Sequence, residues 1–481
     1  MNETSKSLKK SIINGLFWKF SERFLAQGVS FFVSVCLARI LTPSDFGIVA
    51  IVLVFISLAN VFVTSGFSTA LVQNKKANQV DFSTNFYCSF ALALILYFVM
   101  FYLSPIIADF YDNDLLCPVL RIFSFKIPLS AFSSIQHAYV ERNMIFKKYF
   151  FSTLFGTIIS GIVGVYLAYQ GYGVWSLVWQ YLTNTIVDII VLFFTIPWRP
   201  TLDFSFNSAK TMMNYGWKVL AADFTGTFFE QLRSILIGKV YTSADLAYYN
   251  KGNQLPSLIT CNVSSSIMTV LFPAMANIND DIKKIKVLTR KSVNIMSFIM
   301  FPLLFGLAAI AKPLIIFLFT EKWIMSVPYV RILSIAYGIS LIGSVSLQAI
   351  KAIGRSDILL KLEFVKKPVY LILLVIGLKI NVLYVAITMG LYNLYGTVVN
   401  CFALKYNINY EYREQINDIF SSLMISTLMF FIVVSLENLP LNCFYILLIQ
   451  ILAGIVVYIV IACLIKHPVM IYVKDKLNRK G

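Results

Sequence analysis

The chain is 481 residues long, 58% hydrophobic and 15% aromatic, with only 13% of its residues charged. A soluble protein of this size needs far more polar surface, so the composition excludes one and points to an all-α polytopic membrane protein. The formal net charge of +17 collects in short links between apolar runs. That is a topology signal and not a nucleic-acid footprint, and it also suits an anionic lipid surface.

In chain order, about fourteen apolar runs fall at 11–40, 46–73, 80–108, 115–140, 146–170, 173–197, 208–239, 244–275, 282–311, 325–352, 358–378, 381–404, 415–436 and 441–465. Each is long enough to cross a hydrocarbon core of roughly 30 Å as a helix. The stretch KPLIIFLFTEKW (312–323) is too short to span and is expected at the surface or dipping in. KSLKKS leads into a long first helix, so no cleavable signal peptide is expected.

Orientation follows the cations. With the N-terminus inside, inner segments hold Lys9, Lys10, Lys75, Lys76, Lys147, Lys148, Lys283, Lys284, Lys476 and many more. The outer links hold only Arg39, Lys239, Lys251, Lys312, Lys322 and Lys379, beside the acidic Asp109, Asp112 and Asp114. Both termini are therefore expected in the cytoplasm. The 7 cysteines are scattered without a CxxC pair, and His137 and His467 lie far apart, so neither a disulfide nor a metal site is expected.

A short phrase is written twice. LARILTPSDFG (37–47) aligns with IGKVYTSADLAY (237–248), matching Arg39 with Lys239, Thr42 with Thr242 and Asp45 with Asp245. Thr-x-x-Asp is a helix-start signature close to a capping box, and a preceding cation satisfies the end of the previous helix. Each copy reads as a tight structural turn. Later echoes keep the same order: LSPIIADFY (103–111) with AKPLIIFLF (311–319), and LRIFS (120–124) with VRILS (330–334). Six spans separate the two turns, an even number, so the halves are parallel repeats that can enclose a central cavity and rock around it. The expected division is 1–200 and 201–408 as two six-helix halves, with 409–481 adding two helices and a cytoplasmic tail.

The first turn, LARILTPSDFGIVA, resembles the signature after the first helix of bacterial polysaccharide flippases. These carry O-antigen or exopolysaccharide repeat units and belong to the multidrug/oligosaccharidyl-lipid/polysaccharide exporter superfamily. GYGVWSLVWQYL (171–182), LIGKVYTSADLAYYNKGNQLPS (236–257), VLFPAMANINDD (270–281), TEKWIMSVPYVRIL (320–333) and AIGRSDILLKLEFVKK (352–367) are similar to its other landmarks, in its order. The resemblance covers nearly the whole chain. It implies alternating-access transport of an undecaprenyl-pyrophosphate-linked oligosaccharide across the bacterial inner membrane. A polysaccharide polymerase and glycosyltransferases would be the partners in assembly.

Such a cargo calls for buried cations, a wide polar cavity and room for a polyprenyl tail. Intramembrane charges normally face a cavity. Lys19, Arg23, Lys126, Lys218 and Arg233 are the deep cations and the candidates for pyrophosphate, whereas Arg121, Arg331, Lys366 and Lys367 lie nearer helix ends and are expected to snorkel. Lys19, Glu22 and Arg23 share one helix face. The repeat sets Asp223 where Arg23 sits in the first half, and Thr227, Glu230 and Arg233 continue the Asp223 face. Lys218 points about 140° away from it.

Glu22, Asp188, Asp223 and Glu230 are the candidate coupling or gating acids, through Na⁺, H⁺ or the membrane potential. The same acids would serve a cation-coupled drug exporter, against which the excess of deep cations argues. A membrane enzyme of polysaccharide assembly is the remaining alternative. No link is long enough for a nucleotide-sugar domain or a large outer loop, and Gly238-Lys239 lacks the rest of a phosphate loop. A transporter without a cofactor is the expectation.

Overall fold

The computed structural model describes residues 18, 24–65, 71, 77–278 and 281–471. Among these the secondary structure is helical throughout. The helices are α1 Phe24–Ile40, α2 Pro43–Thr64, α3 Gln79–Phe110, α4 Leu116–Phe123, α5 Lys126–Arg142, α6 Phe146–Tyr169, α7 Val174–Thr195 and α8 Phe206–Val240. They continue as α9 Ser243–Ala276, α10 Ile282–Ala309, α11 Ala311–Phe319, α12 Val327–Ala352, α13 Ser356–Leu378, α14 Val382–Ile408, α15 Tyr412–Ser435 and α16 Cys443–Leu464.

Eleven helical stretches among the described residues are long and apolar enough to cross a membrane. The other three expected spans correspond to α1, which is shorter, and to α8 and α13, which are as long but more polar. The protein is thus an all-α polytopic membrane protein. One detail differs from the sequence pattern. The fourth expected span is two helices, α4 and α5, broken at Ser124–Phe125 with Lys126 at the break. The stretch 312–323 is the short α11 and the start of a 3-10 turn, Glu321–Ser326, with Phe319 and Trp323 fully buried and Phe317 exposed.

The chain divides into two compact units, Met1–Ala247 and Tyr248–Gly481. In the first, α6 and α7 pack side by side. Gly156, Ser160 and Gly164, four residues apart, keep that face of α6 small so that the two backbones can approach. The turn joining these helices needs Gly171 and Gly173, whose φ of +83° and +53° would strain any other residue.

In the second unit α10 is central, packed on α12 and α15, and its Met296, Met300, Phe301 and Leu304 meet Val345, Ile425, Met429 and Tyr458 in one core. Lipid tails are as apolar as these side chains, so the helices are held by close packing and by polar pairs. Those pairs occur at both ends of α15. At one end Arg290 grips Asp418 with Nε at 2.7 Å from Oδ2 and Nη2 at 2.9 Å from Oδ1. Glu414 there takes Lys286 at 2.7 Å and Arg290 at 3.2 Å. At the other end Glu437 accepts from Arg331 and, at 3.3 Å, from Lys312. Helix α15 is therefore tied to α10–α12 at both of its ends.

Candidate functional site

The repeated phrase builds two copies of one cap. Thr42 donates its N–H (3.0 Å) and its hydroxyl (2.7 Å) to Asp45 Oδ2, while the Asp45 N–H returns to Thr42 Oγ1 at 3.3 Å. Thr242 and Asp245 repeat this at 3.1, 2.6 and 3.1 Å. The two copies also touch each other. Ser44 Oγ and Ser243 Oγ are 3.2 Å apart, and a Cβ at Gly47 would overlap the Ser243 carbonyl. Beside this joint Lys239 pairs with Asp112 at 3.0 Å, and the Tyr111 hydroxyl donates to the Ile235 carbonyl at 3.3 Å. The phrase is written twice because its two copies form one contact.

From that joint α8 runs as an unbroken helix, so Asp223, Thr227, Glu230 and Arg233 do share a face. Asp223 and Glu230 are exposed, and Arg233 is half-buried. Lys218 is exposed on another side. Lys218, Asp223 and Glu230 have no ion-pair partner among the described residues. The opposite end of α8 is anchored on α3, where Ser208 donates to Asp81 and the Ser205 N–H to Thr84 Oγ1 at 3.0 Å. Both ends of α8 are thus pinned within this unit, while Lys218, Asp223 and Glu230 between them have no ion-pair partner among the described residues.

Asp188 is placed differently. It lies on α7 with its side chain 13% exposed, and His137 Nε2 of α5 sits 2.8 Å from its Oδ2. Oδ1 is buried without a hydrogen-bond partner. The edge of the Tyr149 ring closes over His137 with centroids 4.8 Å apart. Sequence reasoning singled out Asp188 but not His137. The only available signal was an isolated histidine inside an apolar run, and the two are 51 residues apart. Lys126, at the α4–α5 break, is covered by aromatic faces: its ammonium is 5.1 Å from the Tyr181 ring and 5.8 Å from Phe123. The remaining candidates, Lys19, Glu22 and Arg23, lie outside the described residues.

The cations expected to snorkel have partners. Arg121 donates to Ser104 Oγ at 2.9 Å and stacks over Phe101, and Arg331 is held by Glu437. Lys366 is 8% exposed and pairs with Glu363 at 2.6 Å, with Lys367 at 3.9 Å from the same carboxylate. Lys251, read as part of an outer link, is buried within α9 under the rings of Phe319 (4.7 Å) and Trp323 (5.4 Å). Among the described residues no group of three or more His, Cys, Asp or Glu could hold a metal ion.

Residues 36–328 match the sequence family described as Polysaccharide biosynthesis protein. The chain is 25% identical over 421 residues to the lipopolysaccharide biosynthesis protein WzxC of Escherichia coli (strain K12), covering 85% of this chain and 84% of that one. It is 24% identical over 350 residues to the succinoglycan biosynthesis transport protein ExoT of Rhizobium meliloti (strain 1021), covering 73% and 71%. Among solved structures, the lipid II flippase MurJ in an inward closed conformation shares the fold with a TM-score of 0.75 at 18% identity, covering 95% of this chain and 100% of that one. An inward-facing multidrug resistance MATE family transporter shares it with a TM-score of 0.61 at 14% identity, covering 80% and 98%.

Proposed function

Because the chain belongs to the polysaccharide biosynthesis protein family, we propose that it is a flippase that moves an undecaprenyl-pyrophosphate-linked oligosaccharide from the inner to the outer leaflet of the bacterial inner membrane. The family match carries this reading, reinforced by relatives named for succinoglycan transport and lipopolysaccharide biosynthesis over more than two thirds of both chains. It is a transporter without catalytic residues, with both termini in the cytoplasm. It works beside glycosyltransferases that build the cargo and a polymerase that consumes it.

Two six-helix halves, 1–200 and 201–408, rock about a central cavity, and 409–481 is an addition to them. The pyrophosphate is met by Arg23, with Lys19 one turn away and Lys126, Arg233 and Lys218 as further candidate cations. Asp223 takes over the Arg23 cation once the cargo has left. A charge needed in both states has a reason to sit at mid-membrane despite a cost on the order of 2.5–3.5 kcal/mol. Coupling to H⁺ or Na⁺ falls to Asp188, whose one oxygen meets His137 and whose other is buried with no donor.

The test is a deletion. Cells lacking the chain should lose surface polysaccharide and accumulate undecaprenyl-linked oligosaccharide, with unchanged drug sensitivity. Normal surface polysaccharide together with accumulation of cationic dyes would replace this reading by the drug-exporter one.

A further inference from the structure

A groove of about 570 Å³ opens on the second unit between α10 and the segment Pro468–Val469, which follows α16. Its polar wall is Arg290, Lys291, Ser292, Asn294 and Asp418, and its apolar wall includes Val287, Ile295 and Val469. Val287, Lys291, Asn294 and Ile295 are spaced by three or four residues and so lie on one helix face. The segment 467–469 is fixed from below: His467 meets Ser422 Oγ at 3.0 Å and accepts the Val469 N–H at 3.3 Å.

The charges at this groove do not cancel. Arg290 and Lys286 are balanced by Asp418 and Glu414, and the Tyr410 hydroxyl adds a 2.7 Å bond to Asp418. That cluster is neutral, and all three nitrogens of the Arg290 guanidinium are engaged within it. Lys284 is drawn to Asp281 at 3.2 Å, and the backbone N–H of Lys284 holds the Asp281 carboxyl below the usual carboxylate range. Lys291 is exposed and has no ion-pair partner among the described residues, and the Asn294 amide has no hydrogen-bond partner among them. Among the described residues the groove lining therefore offers one cation without an ion-pair partner and one amide without a hydrogen-bond partner. Beyond them Ile295, Ile299 and Leu303 form an exposed apolar stripe along α10, 43%, 39% and 46% exposed.

We propose that this groove is a binding site for an anionic glycerophospholipid, with the phosphate against Lys291 and Asn294 and an acyl chain along Ile295 and Ile299. A single negative charge matches the single free cation. The apolar stripe running into the membrane selects a lipid over a small soluble anion, because only a lipid covers it. The cargo plays no part in this site, so it stands apart from the transport reading.

The full chain, purified in neutral detergent, is titrated with phosphatidylglycerol, with phosphatidylcholine of the same acyl chains and with inorganic phosphate, and bound lipid is counted by native mass spectrometry. Phosphatidylglycerol should bind, phosphatidylcholine should bind at least tenfold more weakly, and inorganic phosphate should not compete. Lys291→Glu should weaken phosphatidylglycerol at least tenfold and Lys291→Arg should retain it. Lys283→Glu, an exposed cation outside the groove lining, should leave binding unchanged. Lys291→Gln, which adds no new charge, should show the same loss as Lys291→Glu if the latter does not fold. Equal binding of the two lipids, undiminished phosphatidylglycerol binding in both Lys291→Glu and Lys291→Gln, or displacement by inorganic phosphate would each overturn the proposal.

Discussion

In the unit Tyr248–Gly481 several charges come in closed groups: Arg290 and Lys286 with Asp418 and Glu414, Arg331 and Lys312 with Glu437, and Lys366 with Glu363. In Met1–Ala247 the middle of α8 carries Lys218, Asp223 and Glu230 without any such group among the described residues, and Asp188 has one satisfied oxygen and one orphan. The physical cost of a charge in lipid is the same in both units, so the difference lies in what the charge is for. Where the fold itself supplies the counter-charge, the pair holds helices together. Where no partner is found among the described residues, as at Asp223 and Glu230, the proposed transport cycle gives the charge its use.

The contrast can be broken or sharpened by substitution. The largest expected effect is on a closed group. Asp418→Ala strips Arg290 of its bidentate partner and should destabilise the protein by about 3–5 kcal/mol, read as a lower unfolding temperature in detergent, with transport falling only in step with the amount of protein. Next comes Arg23→Ala, which should reduce transport by a factor reflecting the loss of a charge-assisted contact of about 2–3 kcal/mol while the membrane holds normal amounts of protein. Arg23→Lys should be intermediate, because lysine keeps the charge without the fork. Recovery of transport in the swap Arg23→Asp with Asp223→Arg would show a plain structural pair.

A smaller loss is expected at the doubled turn. Gly47→Ala should cost about 1–3 kcal/mol by overpacking against the Ser243 carbonyl, visible as reduced protein amount. The smallest effect belongs to Arg355, exposed and paired with Asp357 at 2.9 Å. The Arg355 guanidinium holds the Asp357 carboxyl below its ordinary value. Any contribution to stability is therefore present at neutral pH and is lost as pH falls through that lowered value. In water such a pair is nearly fully screened, so Arg355→Ala should leave the unfolding temperature unchanged at pH 7 and at pH 3.

Class, span positions and the caps were legible in the sequence because each rests on local signals. Apolar length marks a span, and Thr-x-x-Asp marks a helix start whether or not anything packs on it. Contacts between distant segments left no such signal. Thr42–Asp45 was readable, but nothing local says that Ser44 meets Ser243. His137 carried no mark of Asp188, and Arg331, near a helix end, gave no hint of Glu437 across 106 residues. Lys366 looked like a snorkelling lysine because charge and depth are visible in a sequence, while the Glu363 that draws it inward depends on rotamer and packing. The break at Ser124–Phe125 did carry a local signal that went unread: Pro128 has no N–H for the Ser124 carbonyl, so one helix ends there and the next starts with proline in its first turn.

The most direct test is transport per molecule of folded protein in cells carrying Asp223→Asn, measured as outer-leaflet lipid-linked oligosaccharide divided by membrane protein amount. If the α8 charges without an ion-pair partner among the described residues serve the cargo, the ratio should fall about tenfold, equivalent to about 1.4 kcal/mol in a barrier, with the protein amount unchanged. An unchanged ratio, or a loss of transport that only follows a loss of protein, would contradict the account.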